Sequence, residues 1–205
     1  ALVLGTELAA GLMPGTVTAR LTLSAAPPIP FARALHELLD YPYGCVEQTV
    51  SRGWAALLLD ADGAAGMGIT GLDDETRRRR IEGTLARLAS LQIRSGHFSM
   101  WGGDGGAPIL TPYIAEFLLR ARDAGFVVPE ALLQKTLERL SEDLLTGGPP
   151  FYGYAQSAHL GFAYQAHAGY VLARVNRAPL GTLRALYDNE RARAVTALPL
   201  LQLGL

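Results

Sequence analysis

Helical periodicity constrains this chain more than any other feature, because it recurs almost without interruption after Pro30. Apolar residues return every three to four positions, and Gly, Pro or Asp separates one such segment from the next. The first three segments are FARALHELLD, CVEQTVSRGWAALLLD and DDETRRRRIEGTLARLASLQ. The pattern predicts an all-α fold with about eight or nine helices.

Caps and prolines mark the later helices. TPYIAEFLLRARDAG offers Thr111 as an N-cap before Pro112, and PEALLQKTLERLSEDLL begins at Pro129 and stops before TGGPP. AQSAHLGFAYQAHAGYVLARVN, GTLRALYDNE and RARAVTALPLLQLGL supply three further elements. Gly-rich aromatic loops follow helical pairs twice, which is a weak internal repeat. Such hairpins can stack as a solenoid or close into a ring, and we favour the ring.

The N-terminal residues have a different pattern. GTVTARLTLSA alternates apolar and polar residues, as a half-buried strand does, and the proline-rich AAPPIP follows it. A single strand needs partners in a sheet. We therefore expect residues 1–28 to be the remnant strand and linker of a preceding β domain, and residues 29–205 to be an α-helical domain that is incomplete as given.

Composition excludes several classes of function. The 18 basic and 19 acidic residues give a net charge of -1, so no overall field attracts nucleic acid or an anionic membrane. No apolar run reaches the roughly 18 to 20 residues of a membrane span. The four consecutive arginines 77–80 lie between Glu75 and Glu82, a pattern that fits a solvated helix face with i,i+4 ion pairs. The glycines of WGGDGGAP lack the Lys of a phosphate loop, and we predict no cofactor and no metal site.

The single cysteine, Cys45, is a candidate reactive residue. It lies three residues before Gln48, where a helix is predicted to begin. Residues at this spacing share a helix face, with Cβ atoms about 5 to 6 Å apart. The first turn of a helix favours the nucleophilic thiolate, and its attack on the Gln48 amide with loss of ammonia gives a thioester. A buried, inert cysteine is the alternative on spacing alone, and Glu47 also fits a helix N-terminal charge with no chemical task.

The surrounding motif resembles that of a known family. YPYGCVEQTVSR, with Gly44, Cys45, Glu47 and Gln48, closely resembles the thioester motif of the α2-macroglobulins and complement thioester proteins, above all the bacterial α2-macroglobulins. GHFSMWGG resembles the aromatic, Gly-rich loop of that family's thioester domain, and the likeness covers about residues 30–190. It implies an α/α toroid of helical hairpins, with the thioester residues at the start of an inner helix.

The resemblance also implies a function. Family members are broad-spectrum protease inhibitors, not enzymes, and they trap an attacking protease once and covalently through a lysine amine. In this chain Cys45 would carry the acyl group that Gln48 supplies. The implied partners are target proteases and the neighbouring domains of the parent protein, and the implied location is the periplasm, with the parent anchored to a membrane or secreted. We also expect an incomplete toroid to self-associate.

A thioester must be kept from water until it is used, and a dry pocket of aromatic and aliphatic groups does this. Tyr41 and Tyr43 precede the motif, and Met100 and Trp101 lie in the Gly-rich loop. We predict these four residues as shielding groups.

Other classes of function stay open. A cysteine-nucleophile hydrolase or acyltransferase would need a histidine beside Cys45, and the chain offers His97, His159 and His167, none of which we align with the catalytic histidine of some complement members. A non-covalent helical-repeat binding module would make Cys45 incidental. A glycosidase or terpenoid cyclase can also be built on a helical ring. A cyclase usually needs an acidic cluster, and LDDET, the only candidate, fits a helix start better.

Overall fold

A computed structural model describes Met13 and residues 31–40, 44–149, 157–191 and 197–205. The chain separates into two compact units, Ala1–Phe31 and Ala32–Leu205. The strand predicted in GTVTARLTLSA lies outside the described residues, as do Tyr41 and Tyr43.

The described residues contain nine α-helices and no strand, which confirms the all-α prediction. The helices are α1 Phe31–Leu39, α2 Val46–Leu58, α3 Ala61–Gly66, α4 Asp74–Leu91, α5 Thr111–Asp123, α6 Glu130–Thr146, α7 Ser157–Ala173, α8 Leu180–Arg191 and α9 Ala197–Gly204. The short α3 was not predicted, because its ADGAAG sequence has no apolar period. The side chain of Asp60 caps it by accepting a hydrogen bond from the amide of Gly63 at 2.7 Å.

The helices pack as successive hairpins. The helices α2, α5, α7 and α9 contact one another in chain order, and α4, α6 and α8 pack against α2, α5 and α7 respectively. We call the first set the inner helices and the second set the outer helices. This succession of hairpins is the arrangement of an α/α toroid.

The core lies between the inner and outer helices and holds α2 close to its neighbours. Its fully buried side chains include Ile81, Leu88, Leu91, Ile114, Phe117, Leu118, Leu133, Leu137 and Leu140. Gly53 allows the close approach of α2, because a Cβ there would lie 2.6 Å from Cγ2 of Thr84 and 2.8 Å from Cζ of Phe117. The core therefore fixes α2 against both α4 and α5.

The start of α5 differs from the sequence prediction. A 3₁₀ turn, Pro108–Leu110, leads directly into the helix, so Leu110 is the N-cap residue and makes no side-chain cap. Thr111 is the first helical residue and is fully buried. The prediction of a Thr111 cap was wrong, because this hydroxyl pairs instead with Nδ1 of His97 at 2.9 Å.

The arginine run also departs from the prediction of a wholly solvated face. Arg77 donates to the carbonyl oxygens of Ala56 and Leu57 at 2.8 and 3.0 Å, so it caps the C-terminal end of α2. Arg80 donates to the carbonyl of Leu39 at the end of α1. The two arginines between them, at positions 78 and 79, are exposed as expected.

Candidate functional site

Cys45 and Gln48 form a reciprocal cap at the start of α2. Cys45 is the N-cap residue, with extended backbone angles φ -65° and ψ 163°. Its sulfur accepts a hydrogen bond from the backbone amide of Gln48 at 3.4 Å, and the side-chain oxygen Oε1 of Gln48 accepts one from the backbone amide of Cys45 at 3.3 Å. This is a capping box in which a thiol takes the place of the usual hydroxyl. The structure thus brings together the two residues that the sequence singles out.

The sulfur is sheltered and the glutamine is more accessible. Cys45 is 5% exposed, and the neighbouring Val46 and Val50 are fully buried. Gln48 is half-buried and Glu47 is exposed. A nucleophile arriving from solvent would therefore meet the Gln48 side chain before the Cys45 sulfur.

The Gly-rich loop between α4 and α5 completes the start of α2. The carbonyl oxygen of Met100 accepts a hydrogen bond from the amide of Val46 at 2.8 Å, and this amide is one of those that a helix start leaves unpaired. Met100 itself is half-buried and packs on the core, and Phe98, two residues earlier in the loop, is fully buried. The loop is therefore part of the site, as the GHFSMWGG motif suggests.

Trp101 does not fill a pocket in the described structure. Its side chain is 64% exposed. The loop turns immediately after it at Gly102 and Gly103, whose φ angles of 118° and 83° favour glycine. Trp101 is therefore mostly solvent-exposed within the part of the chain that the structure describes. Met100 is half-buried on the same loop, and Tyr41 and Tyr43 lie outside the described residues.

A chain of polar groups leads from the site toward α5, and the sequence did not predict it. The Oγ of Ser51 donates to Glu47 at 3.1 Å and lies 3.4 Å from the hydroxyl of Tyr113. Burial raises the pKa of Tyr113. Trp54 stacks on Tyr113 with ring centroids 5.9 Å apart. The only sequence signal was the helical spacing of Glu47, Ser51 and Trp54 along α2.

Two of the three candidate histidines, His97 and His167, contact partners other than the cysteine. His97 pairs through Nδ1 with Thr111, its Nε2 lies 3.7 Å from Asp143, and burial lowers its pKa. His167 lies 2.9 Å from Glu116 on α5, and this hydrogen bond holds the pKa of Glu116 below its usual value. The third, at position 159, is half-buried on α7. His97 and His167 are thus engaged away from the site, which weakens the hydrolase alternative.

The described residues lack the features of two other kinds of site. Within them, no cluster of three or more His, Cys, Asp or Glu side chains is placed to hold a metal ion. None of the described helices combines the length and hydropathy that a membrane crossing needs.

The fold and the site define a class of protein: an all-α domain of helical hairpins with a cysteine and a glutamine paired at the start of an inner helix. No family model matches the chain. The chain is 61% identical over 198 residues to the α2-macroglobulin of Xylella fastidiosa strain Temecula1, and 40% identical over 193 residues to that of Escherichia coli K12. These alignments cover 96% and 93% of the chain, and 12% of each relative.

Solved structures give the same result. A crystal structure of native α2-macroglobulin from Escherichia coli, spanning domain MG7 to the C-terminus, matches with a TM-score of 0.79 and 40% identity over 87% of this chain and 28% of that one. The Salmonella α2-macroglobulin reacted with methylamine matches with the same TM-score over 12% of its chain, and the trypsin-activated Escherichia coli protein with 0.76, also over 12%.

The chain is therefore a homologue of the bacterial α2-macroglobulins over nearly all of its own length, and it spans about an eighth of theirs. That family consists of multidomain protease inhibitors rather than catalytic enzymes.

Proposed function

We propose that this chain is the thioester-bearing domain of a broad-spectrum protease inhibitor, and that Cys45 and Gln48 form the thioester. The observation that carries the proposal is the reciprocal cap, in which each of the two side chains hydrogen bonds to the backbone of the other residue. A serine or threonine would cap the helix equally well, so capping alone does not require a cysteine.

The same cap supports formation of the bond. The thiolate of Cys45 attacks the side-chain carbonyl carbon of Gln48, the C–N bond breaks, and ammonia leaves with the thiol proton. Negative charge develops on the Gln48 oxygen during this attack. The backbone amide of Cys45, which donates to that oxygen at 3.3 Å, is placed to stabilise it.

Opening of the bond involves the other hydrogen bond of the cap, from the Gln48 backbone amide to the Cys45 sulfur. A lysine amine of the target protease attacks the thioester carbonyl carbon, the C–S bond breaks, and an amide then joins the protease to the Gln48 side chain. The amine proton passes to the departing sulfur, directly or through water. The Gln48 backbone amide, 3.4 Å from that sulfur, and the N-terminus of α2 favour the thiolate as it leaves. Because the acyl group is consumed, each chain reacts once.

The relatives support this chemistry. The Salmonella protein was crystallised after reaction with methylamine, which is a small amine nucleophile, and the Escherichia coli protein after activation by trypsin. We infer the same sequence of events for this chain within its parent protein, with neighbouring domains as further partners. A periplasmic location of the parent follows by analogy with the bacterial family.

Protection from water is divided between the domain and its surroundings. Cys45 is buried, and Met100 packs on the core while its carbonyl accepts from the Val46 amide at the start of α2. Tyr41 and Tyr43 are proposed as further shields because they directly precede the motif. Trp101 is exposed, so we assign it a shielding role only in the parent protein, where a neighbouring domain covers it.

The proposed self-association involves the last helices. A groove of about 570 Å³ lies between α7, α8 and α9, and its lining includes Leu180 and Leu205, both exposed. Exposed leucines of this kind favour association in solution. A strictly monomeric chain by light scattering at high protein concentration would contradict this part of the proposal.

Labelling with methylamine tests the main proposal. We expect one methylamine per chain, located at Gln48 by peptide mass spectrometry, and none in a Cys45→Ala variant. A hydrolase would instead release product repeatedly, and a non-covalent binding module would take up no label.

A further inference from the structure

We propose that His97 and Asp143 position the thioester pair, by holding the carbonyl of Met100 on the first turn of α2. This inference rests on the proposed function and adds positioning residues to the same site. His97 lies on the Gly-rich loop and Asp143 on the outer helix α6, and neither contacts Cys45 or Gln48.

Asp143 is the centre of a buried polar cluster. It is 3% exposed, and its Oδ1 lies 2.7 Å from Nη2 of Arg139. The hydroxyl of Tyr164 on α7 donates to its Oδ2, and Nε2 of His97 lies 3.7 Å from the same oxygen. A buried carboxylate is tolerated only with such partners, so the cluster holds the loop, α6 and α7 in one arrangement.

His97 connects this cluster to the loop and to α5. Its Nδ1 pairs with the hydroxyl of Thr111, the first residue of α5, at 2.9 Å. Its carbonyl oxygen accepts from the amide of Ile93 at 2.9 Å, and the next two residues of the loop, Phe98 and Ser99, also hydrogen bond through their backbones to Ala107 and Leu91. These bonds give the loop one fixed path up to Met100.

The loop reaches the site through one backbone hydrogen bond. The carbonyl of Met100 accepts a hydrogen bond from the amide of Val46 at 2.8 Å. In the sequence, Val46 lies between Cys45 and Gln48. If that carbonyl shifts, the Val46 amide loses its partner and the first turn frays. The cap between Cys45 and Gln48 depends on this turn, so its geometry depends on the loop and on the cluster that holds the loop.

Backbone hydrogen exchange of Val46 tests the inference directly, since this amide donates to Met100. The test variant is Asp143→Asn. The matched control is Asp123→Asn. Asp123 also lies 2.7 Å from an arginine, Arg174, but its side chain is half exposed, whereas Asp143 is buried. We expect the protection of the Val46 amide to fall about tenfold in Asp143→Asn and to stay unchanged in the control, with the amide of Leu85 in α4 as an internal reference.

Two milder variants keep the test decisive if Asp143→Asn does not fold. Tyr164→Phe removes one donor from Asp143, and His97→Gln removes the imidazole. Each should lower Val46 protection relative to Leu85. Equal protection of Val46 in variant and control, or a loss shared equally by Leu85, would overturn the inference, because the cluster would then contribute only to general stability.

The chemical consequence is measured separately. In the 205-residue chain the thioester should react with water about tenfold faster in Asp143→Asn than in Asp123→Asn. Equal rates would overturn the inference even if the exchange result agreed with it. If the unaltered chain takes up no methylamine at all, the proposed function fails, whereas the exchange of Val46 still decides whether the cluster positions α2.

Discussion

The sulfur of Cys45 lies 3.4 Å from the backbone nitrogen of Gln48, at the first turn of α2. The cysteine is therefore both a helix cap and the candidate acyl carrier. Substitution can separate these two roles, because a hydroxyl can cap a helix but does not leave from an ester as readily as a thiolate leaves from a thioester.

Cys45→Ser and Cys45→Ala should both abolish methylamine uptake, since neither retains the thiol. Serine keeps the cap, whereas alanine loses it at a cost of about 1 kcal/mol in the free energy of unfolding. Urea denaturation gives the stabilities, and labelled methylamine gives the chemistry. Uptake of methylamine by either variant would show that Cys45 is not the acyl carrier.

Gly53→Ala should destabilise the chain by about 1 to 3 kcal/mol, because the new Cβ would lie 2.6 Å from Thr84 and 2.8 Å from Phe117. Gly83→Ala is the matched control in α4, where a Cβ has no neighbour within 4 Å and should stabilise the helix by up to about 1 kcal/mol. Urea denaturation of the two variants checks this. Equal stabilities would mean that α2 does not pack closely on α4 and α5.

Stability should fall as the pH drops below about 6.5, because His97 is buried as the neutral imidazole and its pKa is lowered. The unfolded chain takes up this proton first, so acid favours unfolding until the folded pKa is reached. Burial is the largest effect on this pKa. The Asp143 carboxylate, 3.7 Å from Nε2, raises the pKa, and the Arg139 guanidinium lowers it.

His97→Gln should flatten this part of the profile. The measurement is the free energy of unfolding in urea at several pH values between about 5 and 8. An unaltered slope in His97→Gln would assign the pH dependence to other groups.

Met100→Ala should shorten the lifetime of the thioester in water, whereas Trp101→Ala should leave it unchanged in the 205-residue chain. Met100 is half-buried against the core and its carbonyl bonds to the Val46 amide at the start of α2, but the Trp101 side chain is 64% exposed. Trp101→Ala should also change the free energy of unfolding by less than about 0.5 kcal/mol. A shorter lifetime in Trp101→Ala would show that this side chain covers the site without a neighbouring domain.

The sequence predicted the contact in the site that joins residues close together in the chain. Cys45 and Gln48 are three residues apart, so helical spacing alone predicts that they meet. The contact between Val46 and Met100 joins residues far apart in the chain, and only the GHFSMWGG motif hinted at it. The cluster around Asp143 gave no sequence signal, because its members come from the loop, α6 and α7 and meet only after the helices pack.

The same difference between local and long-range contacts applies to the prediction of the helices. Apolar periodicity identified the longer helices, because each presents one apolar face to the core. It missed α3, where small residues replace that face, and it assigned Thr111 to a cap although the hydroxyl binds His97. It also placed the whole arginine run in solvent, whereas Arg77 and Arg80 bind the carbonyl ends of α2 and α1. For Thr111, Arg77 and Arg80, a partner distant in sequence decided the role of the polar group.

The intact mass of the purified chain, before and after methylamine and with a parallel thiol titration, tests the thioester most directly. We expect a starting mass about 17 Da below the sequence value, a gain of about 31 Da with methylamine, and the appearance of one thiol, because ammonia is lost when the bond forms and sulfur is released when it opens. A starting mass equal to the sequence value, with Gln48 unmodified and a thiol that titrates throughout, would contradict a thioester between Cys45 and Gln48.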